Sequence, residues 1–189
     1  MKQKEPIVYS INPPIINDRA CTACFSGHRP EKIPFYDNEL KMRMLMSMFI
    51  EHIYTAINDG YRTFICGMAR GVDIWGGRAI SALKHSNPEW NLKLIGISPY
   101  KNEMDALQGE DIYHYGTVRA NCDQMYYLSE DYFQACYHIR NRLMVDHSNR
   151  VIGVINDYKS GTGNTIKEAK RQGLELDVID LNNCGFFDF

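Results

Sequence analysis

From residue 20 to 181 the chain alternates short apolar runs with longer amphipathic segments, and that alternation leaves few folds open to it. Six runs have the length and the β-branched or aromatic content of buried strands: ACTACFSG (20–27), YRTFICG (61–67), LKLIGIS (92–98), QMYYL (124–128), RVIGVIN (150–156) and ELDVIDL (175–181). Between them lie helical patterns. Leu40, Met44, Leu45, Met48, Phe49, Ile53, Ala56 and Ile57 recur three and four apart after a capping Asp37 and stop at Gly60. The methionines on that stripe read as adaptable core filler. Residues 74–85, about 132–147 and 165–172 repeat the helical pattern, and Pro99 to about Tyr115 is a long polar and aromatic segment with some helix. Strands separated by helices imply a mainly parallel sheet of about six strands with right-handed crossovers and helices on both faces, an α/β three-layer sandwich. Its 189 residues fit one domain, here 20–183. Residues 1–19 carry Pro6, Pro13 and Pro14 without periodicity and read as an extended arm rather than an element. Residues 184–189 form an aromatic tail containing Phe186, Phe187 and Phe189, a feature that suggests a partner surface.

In a parallel sheet every strand points its carboxyl end at one rim, where open α/β proteins bind ligands. Three turns expected at that rim are glycine-bearing and polar: Gly27-His28-Arg29, Gly67-Met68-Ala69-Arg70-Gly71, and Ser160-Gly161-Thr162-Gly163-Asn164-Thr165. Glycine lets the backbone approach a ligand, and amides at a following helix start attract an anion, a phosphate best of all. The third turn is the strongest candidate. Equally, its glycines can simply make the turn while Asn164 or Thr165 caps the helix, and Asp73 can cap a helix as readily as accept ribose hydroxyls. Arg29, Arg70, Arg140 and Arg142 offer local positive charge suited to phosphate.

Other chemistries lose ground. The six histidines show no metal spacing, and no G-x-S-x-G, Walker A or G-x-G-x-x-G pattern occurs. Cys21 and Cys24 make one C-x-x-C, but no second half completes a zinc site, and residues three apart on a strand point to opposite faces. With 21 basic against 23 acidic residues the formal charge is -2, so no global positive field would hold a polyanion, and nucleic acid is not the expected partner. No apolar run is long enough for a signal peptide or a membrane span, so a cytoplasmic location and reduced thiols are expected.

The segments FSGHRPEK, FICGMARGVDIWGGRAI, IRNRLMVDHSNRVIGV and SGTGNT, in this order and spacing, resemble the YpsA-like family of the SLOG superfamily, over roughly residues 20–181. The resemblance implies a Rossmann-like sheet with a ligand pocket at its carboxyl edge, shared with DprA and the LOG phosphoribohydrolases. Carried onto this chain, the ligand-facing positions are Gly27, His28, Arg29, Gly67, Ala69, Gly71, Asp73, Arg140, Asn141, Gly161, Thr162, Asn164 and Thr165. It implies a nucleotide, NAD or ADP-ribose as ligand in a sensor or signalling role, and a homodimer. Two alternatives come with it. A LOG-like N-glycosidase would use Glu168, three residues after Thr165; a DprA-like binder of single strands would stack bases on the Tyr100–Tyr115 segment. One departure stands out: Ser160 occupies a position where the family usually has glycine, and a positive φ there would strain it.

Overall fold

The computed structural model describes residues 7–10, 15 and 17–183. Ile7–Ser10 (β1), Thr22–Gly27 (β2), Thr63–Cys66 (β3), Lys93–Ser98 (β4), Gln124–Tyr127 (β5), Arg150–Ile155 (β6) and Glu175–Asp180 (β7) form one seven-stranded sheet in the order β1-β5-β4-β3-β2-β6-β7. Every pairing is parallel. Five helices connect the strands: α1 (Glu39–Asn58), α2 (Val72–Ser86), α3 (Glu110–Asn121), α4 (Cys136–Asp146) and α5 (Gly161–Arg171).

Alternation along the strands divides the core in two. Ala23 and Phe25 point to one face, where Phe25 packs 5.9 Å from both Phe49 and Phe64 and joins Leu45, Val72, Ile80 and Val118 from α1, α2 and α3. Cys24 points to the other face, with Ile65, Val151, Met144, Val145 and Ala169 beneath α4 and α5. Three helices on one face and two on the other give the expected Rossmann-like sandwich. The chain winds outward from β2 through β3 and β4 and then restarts at β6 on the opposite side of β2. The switch in strand order, where open sheets form their crevice, therefore lies between β2 and β6.

The structure departs from the reading of the sequence in several elements. The amino-terminal arm contributes β1, paired with β5; prolines around the run obscured it, and they are compatible with its place on the sheet edge. Helix α3 continues to Asn121 because Tyr115 and Val118 are its buried residues, too thin a stripe to stand out as a period. Helix α4 starts at Cys136, four residues later than its pattern suggests. The cap of α1 is Asn38, whose side chain accepts from the Lys41 amide at 3.0 Å, and not Asp37. The aromatic tail falls outside the described residues. Among those residues no helix is long and apolar enough to cross a membrane.

Candidate functional site

The rim turns after β2 and β6 meet at the switch point. His28, which follows β2, is buried, and its Nε2 accepts from the Asp157 amide beyond β6 at 3.3 Å. Burial holds its pKa below the ordinary imidazole value, so the ring stays neutral and its unprotonated nitrogen makes this bond. Ser160 then donates its hydroxyl to the Asp157 carbonyl at 2.5 Å and accepts from the Gly163 amide at 3.1 Å. Ser160 is the N-cap of α5, with φ -83°, so glycine is not required there and no strain arises. The cap is Ser160, not Asn164 or Thr165. It leaves the amides of Gly161 and Thr162 at the positive end of the helix dipole.

The turn after β3 is built differently. Asp73 does not cap α2, whose N-cap is Gly71. It is buried, and its Oδ1 accepts from the Gly67 amide at 3.1 Å and from Arg140 Nη1, also at 3.1 Å. The same guanidinium donates to the Gly67 carbonyl. Gly67 is required because any Cβ there would occupy the place of the Arg140 Nη1 atom. At Gly71 φ is +86°, and a Cβ would collide with the His28 carbonyl oxygen, so this turn presses directly on the first. Ala69 accepts from the Ile74 amide at 3.3 Å. Gly27 closes β2 against Val72. Burial pushes the Asp73 carboxyl up to about 6, against the pull of Arg140 and the Gly67 amide.

Helices α4 and α5 pack side by side and leave between them a cleft of about 350 Å³ lined by His138, Asn141, Arg142, Val145, Asn164, Thr165 and Glu168. The lining follows from helical spacing: 138, 141, 142 and 145 form one face of α4, and 164, 165 and 168 one face of α5. Of the candidate positions, Asn141, Asn164, Thr165 and Glu168 thus line one cleft, whereas Gly27, His28, Arg29, Gly67, Ala69, Gly71, Asp73, Arg140, Gly161 and Thr162 do not. Thr165 is buried, and its hydroxyl donates to the Gly161 carbonyl at 3.0 Å. Glu168 accepts from Arg171 at 2.9 and 2.5 Å and from Gln172 at 2.8 Å. Those donors hold its carboxyl down at about 2, so it is ionised across the working pH range.

The arginines sort by partner. Arg140 serves Asp73; Arg70 pairs with Asp111 at 2.6 Å; Arg142 lies 3.8 Å from Asp146. Arg29 is exposed, makes no ion pair among the described residues, and sits over the Tyr137 ring at 5.7 Å. Beside it is a buried carboxyl that sequence reasoning missed. Glu103 accepts from the Ser98 hydroxyl at 2.7 Å, and burial raises its pKa. Glu103 opens a single 3-10 turn, Glu103–Ala106, and one glutamate there carries no periodic signal. Tyr137 was legible in principle, since it precedes Arg140 by three residues on α4 and must share its face.

Residues 23–183 match the model of the YspA SLOG family, YpsA. The chain belongs to that family. The chain is also similar to the uncharacterized SPbeta prophage-derived protein YoqJ of Bacillus subtilis (strain 168). That protein is 27% identical over 144 residues, covering 70% of this chain and 82% of YoqJ. Among solved structures the fold resembles DNA processing protein A of Streptococcus pneumoniae, with TM-score 0.57, 14% identity and 88% of this chain covered. It also resembles the Helicobacter pylori protein of the same name, whose structure concerns its single-stranded DNA binding mode, with TM-score 0.54, 20% identity and 85% of this chain covered. The chain spans 52% and 65% of those two proteins. Exclusion of nucleic acid on net charge alone finds no support in these neighbours.

Proposed function

We propose that this SLOG domain binds a nucleotide or nucleotide-derived molecule at the rim between α4 and α5, as a recognition module. The observation that carries the reading is the cleft itself. Two segments more than twenty residues apart bring Asn141, Asn164 and Thr165 around one opening, next to a capped helix start with spare amides. Its volume of about 350 Å³ lies at the lower end of the ~300–1,000 Å³ typical of small-molecule sites, so a mononucleotide suits it better than a dinucleotide. Asn and Thr side chains supply neutral donors and acceptors for ribose or base, and the helix dipole supplies the attraction for phosphate.

A second reading, hydrolysis of an N-glycosidic bond, has one observation in its favour. Glu168 lines the cleft and is held ionised, as an electrostatic stabiliser of a developing oxocarbenium ion would need to be. The same donors that ionise it also occupy its oxygens, which favours binding without cleavage.

The test is a thermal-shift panel of ADP-ribose, NAD, AMP, ATP and a deoxyribonucleotide. At a hundredfold excess over Kd a true ligand raises Tm by about 5–10 °C in a domain of this size. The rise is expected for AMP or ADP-ribose and is abolished in Gly161→Val, a site with open space around it that the fold tolerates. No shift with any of the five sinks the reading. Release of free base from AMP during incubation, followed by chromatography and lost in Glu168→Gln, would instead establish the hydrolase.

A further inference from the structure

Tyr100, Tyr132 and Tyr137 form a ring cluster on the rim, from the segments after β4 and β5 and from the first turn of α4. Tyr100 meets Tyr132 edge-on at 5.8 Å and Tyr137 edge-on at 6.4 Å, and Tyr132 and Tyr137 are 6.4 Å apart. Contacts with two neighbours hold Tyr132 in place, yet it is 60% exposed, so its ring is presented to solvent rather than packed. Tyr137 is differently placed, with the guanidiniums of Arg29 and Arg140 over its ring at 5.7 and 5.8 Å. Arg140 is spent on Asp73, whereas Arg29 has no ion pair among the described residues. Arg29 is also tied to the start of α5, because its neighbour His28 takes the Asp157 amide while Ser160 takes the Asp157 carbonyl. A held aromatic face, an uncommitted cation and a helix start with spare amides therefore lie along one rim.

We infer that Tyr132 is the stacking platform for a nucleobase, with Arg29 placed for the phosphate of the same ligand. This rests on the nucleotide reading above and assigns a part of the site that the glycine turns do not reach. Stacking on a tyrosine accepts any base, because every base has a π-face. A cation beside the ring suits a base that carries phosphate, which an apolar peptide does not. The base can come from a free nucleotide or from a single-stranded oligonucleotide, since both present the same face and the same anion.

Affinities of AMP, ribose 5-phosphate and a ten-residue oligothymidylate should be measured by titration calorimetry on the wild type, Tyr132→Ala and Tyr132→Phe. The exposed ring makes all three proteins fold alike, which thermal melting checks. The wild type is expected to prefer AMP over ribose 5-phosphate; Tyr132→Ala loses about tenfold for AMP and nothing for ribose 5-phosphate, and Tyr132→Phe keeps the wild-type affinity. A strand as the source is indicated if the oligonucleotide binds more tightly than AMP, falls steeply with salt and weakens in Tyr132→Ala. Equal AMP affinity in wild type and Tyr132→Ala, or no wild-type preference for AMP over ribose 5-phosphate, overturns the stacking assignment and leaves the nucleotide reading in place. Failure of all three ligands to bind the wild type overturns both.

Discussion

The turns after β3 and β6 look alike in the sequence, each placing glycines and polar residues before a helix, yet the folded chain uses them in opposite ways. After β3 the protein fills its own turn. Arg140 and Asp73 occupy the carbonyl and amide of Gly67, and Gly71 sits against the His28 carbonyl, so the backbone of Gly67 is committed to the protein's own side chains. After β6 the side chains of His28, Asp157, Ser160 and Thr165 bond the turn, yet Gly161 has nothing within 4 Å of where a Cβ would stand. Glycine in the first case permits the backbone to approach the protein's own side chains; in the second Gly163 packs against the Tyr158 backbone while Gly161 leaves the approach open. A glycine-rich rim turn thus marks close approach, and the approaching group is decided by what distant residues such as Arg140 bring.

The strongest way to break this comparison is to empty the filled turn. Arg140→Met leaves Asp73 buried without its cation and the Gly67 carbonyl without its donor, at a cost of about 3–5 kcal/mol. Denaturant unfolding should show that loss, whereas Asn164→Ala in the open cleft should stay within about 0.5 kcal/mol of wild type. If the two variants were equally stable, the closed turn would not be the structural one. Next in size is Gly71→Ala. The φ of +86° and the overlap with the His28 carbonyl together cost about 2–4 kcal/mol, while Gly161→Ala, with ordinary φ and free space, should leave the melting temperature nearly unchanged.

Much of this was legible in the sequence, and its limits have physical causes. The runs that became β2 to β6 are largely apolar because both faces of a parallel sheet are buried, and the edge strand β7 shows instead as the alternation ELDVID. Edge strand β1 is short and flanked by prolines, and nothing in IVYS separates it from an extended arm. At the site, Asn141, Asn164, Thr165 and Glu168 were grouped through the resemblance, and helical spacing alone would have added His138 and Arg142. Asp73 resisted reading because its partner Arg140 is 67 residues away, and a long-range pair leaves no local pattern. Glu103 and its Ser98 contact were invisible for a different reason: burial of a loop carboxylate depends on packing from α4, which no window of sequence contains.

The two turns should also part company in their response to pH. Burial raises the Asp73 pKa from 3.8 to about 6, so the folded state binds this proton more tightly than the unfolded chain. The stability tied to it is fully present below about pH 4 and is lost as pH rises toward 6, by at most ~3 kcal/mol. Glu168 runs the other way. Its pKa of about 2 lies below the usual carboxyl value, so its contribution is complete above about pH 4.5 and disappears only as pH falls toward 2. Between pH 4.5 and 6 Asp73 titrates and Glu168 does not. Urea midpoints measured across that interval should fall with rising pH in the wild type and in Glu168→Gln alike, and the fall should flatten in Asp73→Asn. A slope that survived Asp73→Asn would place the proton elsewhere, with Glu103 the next carboxyl to replace, because burial raises its pKa as well.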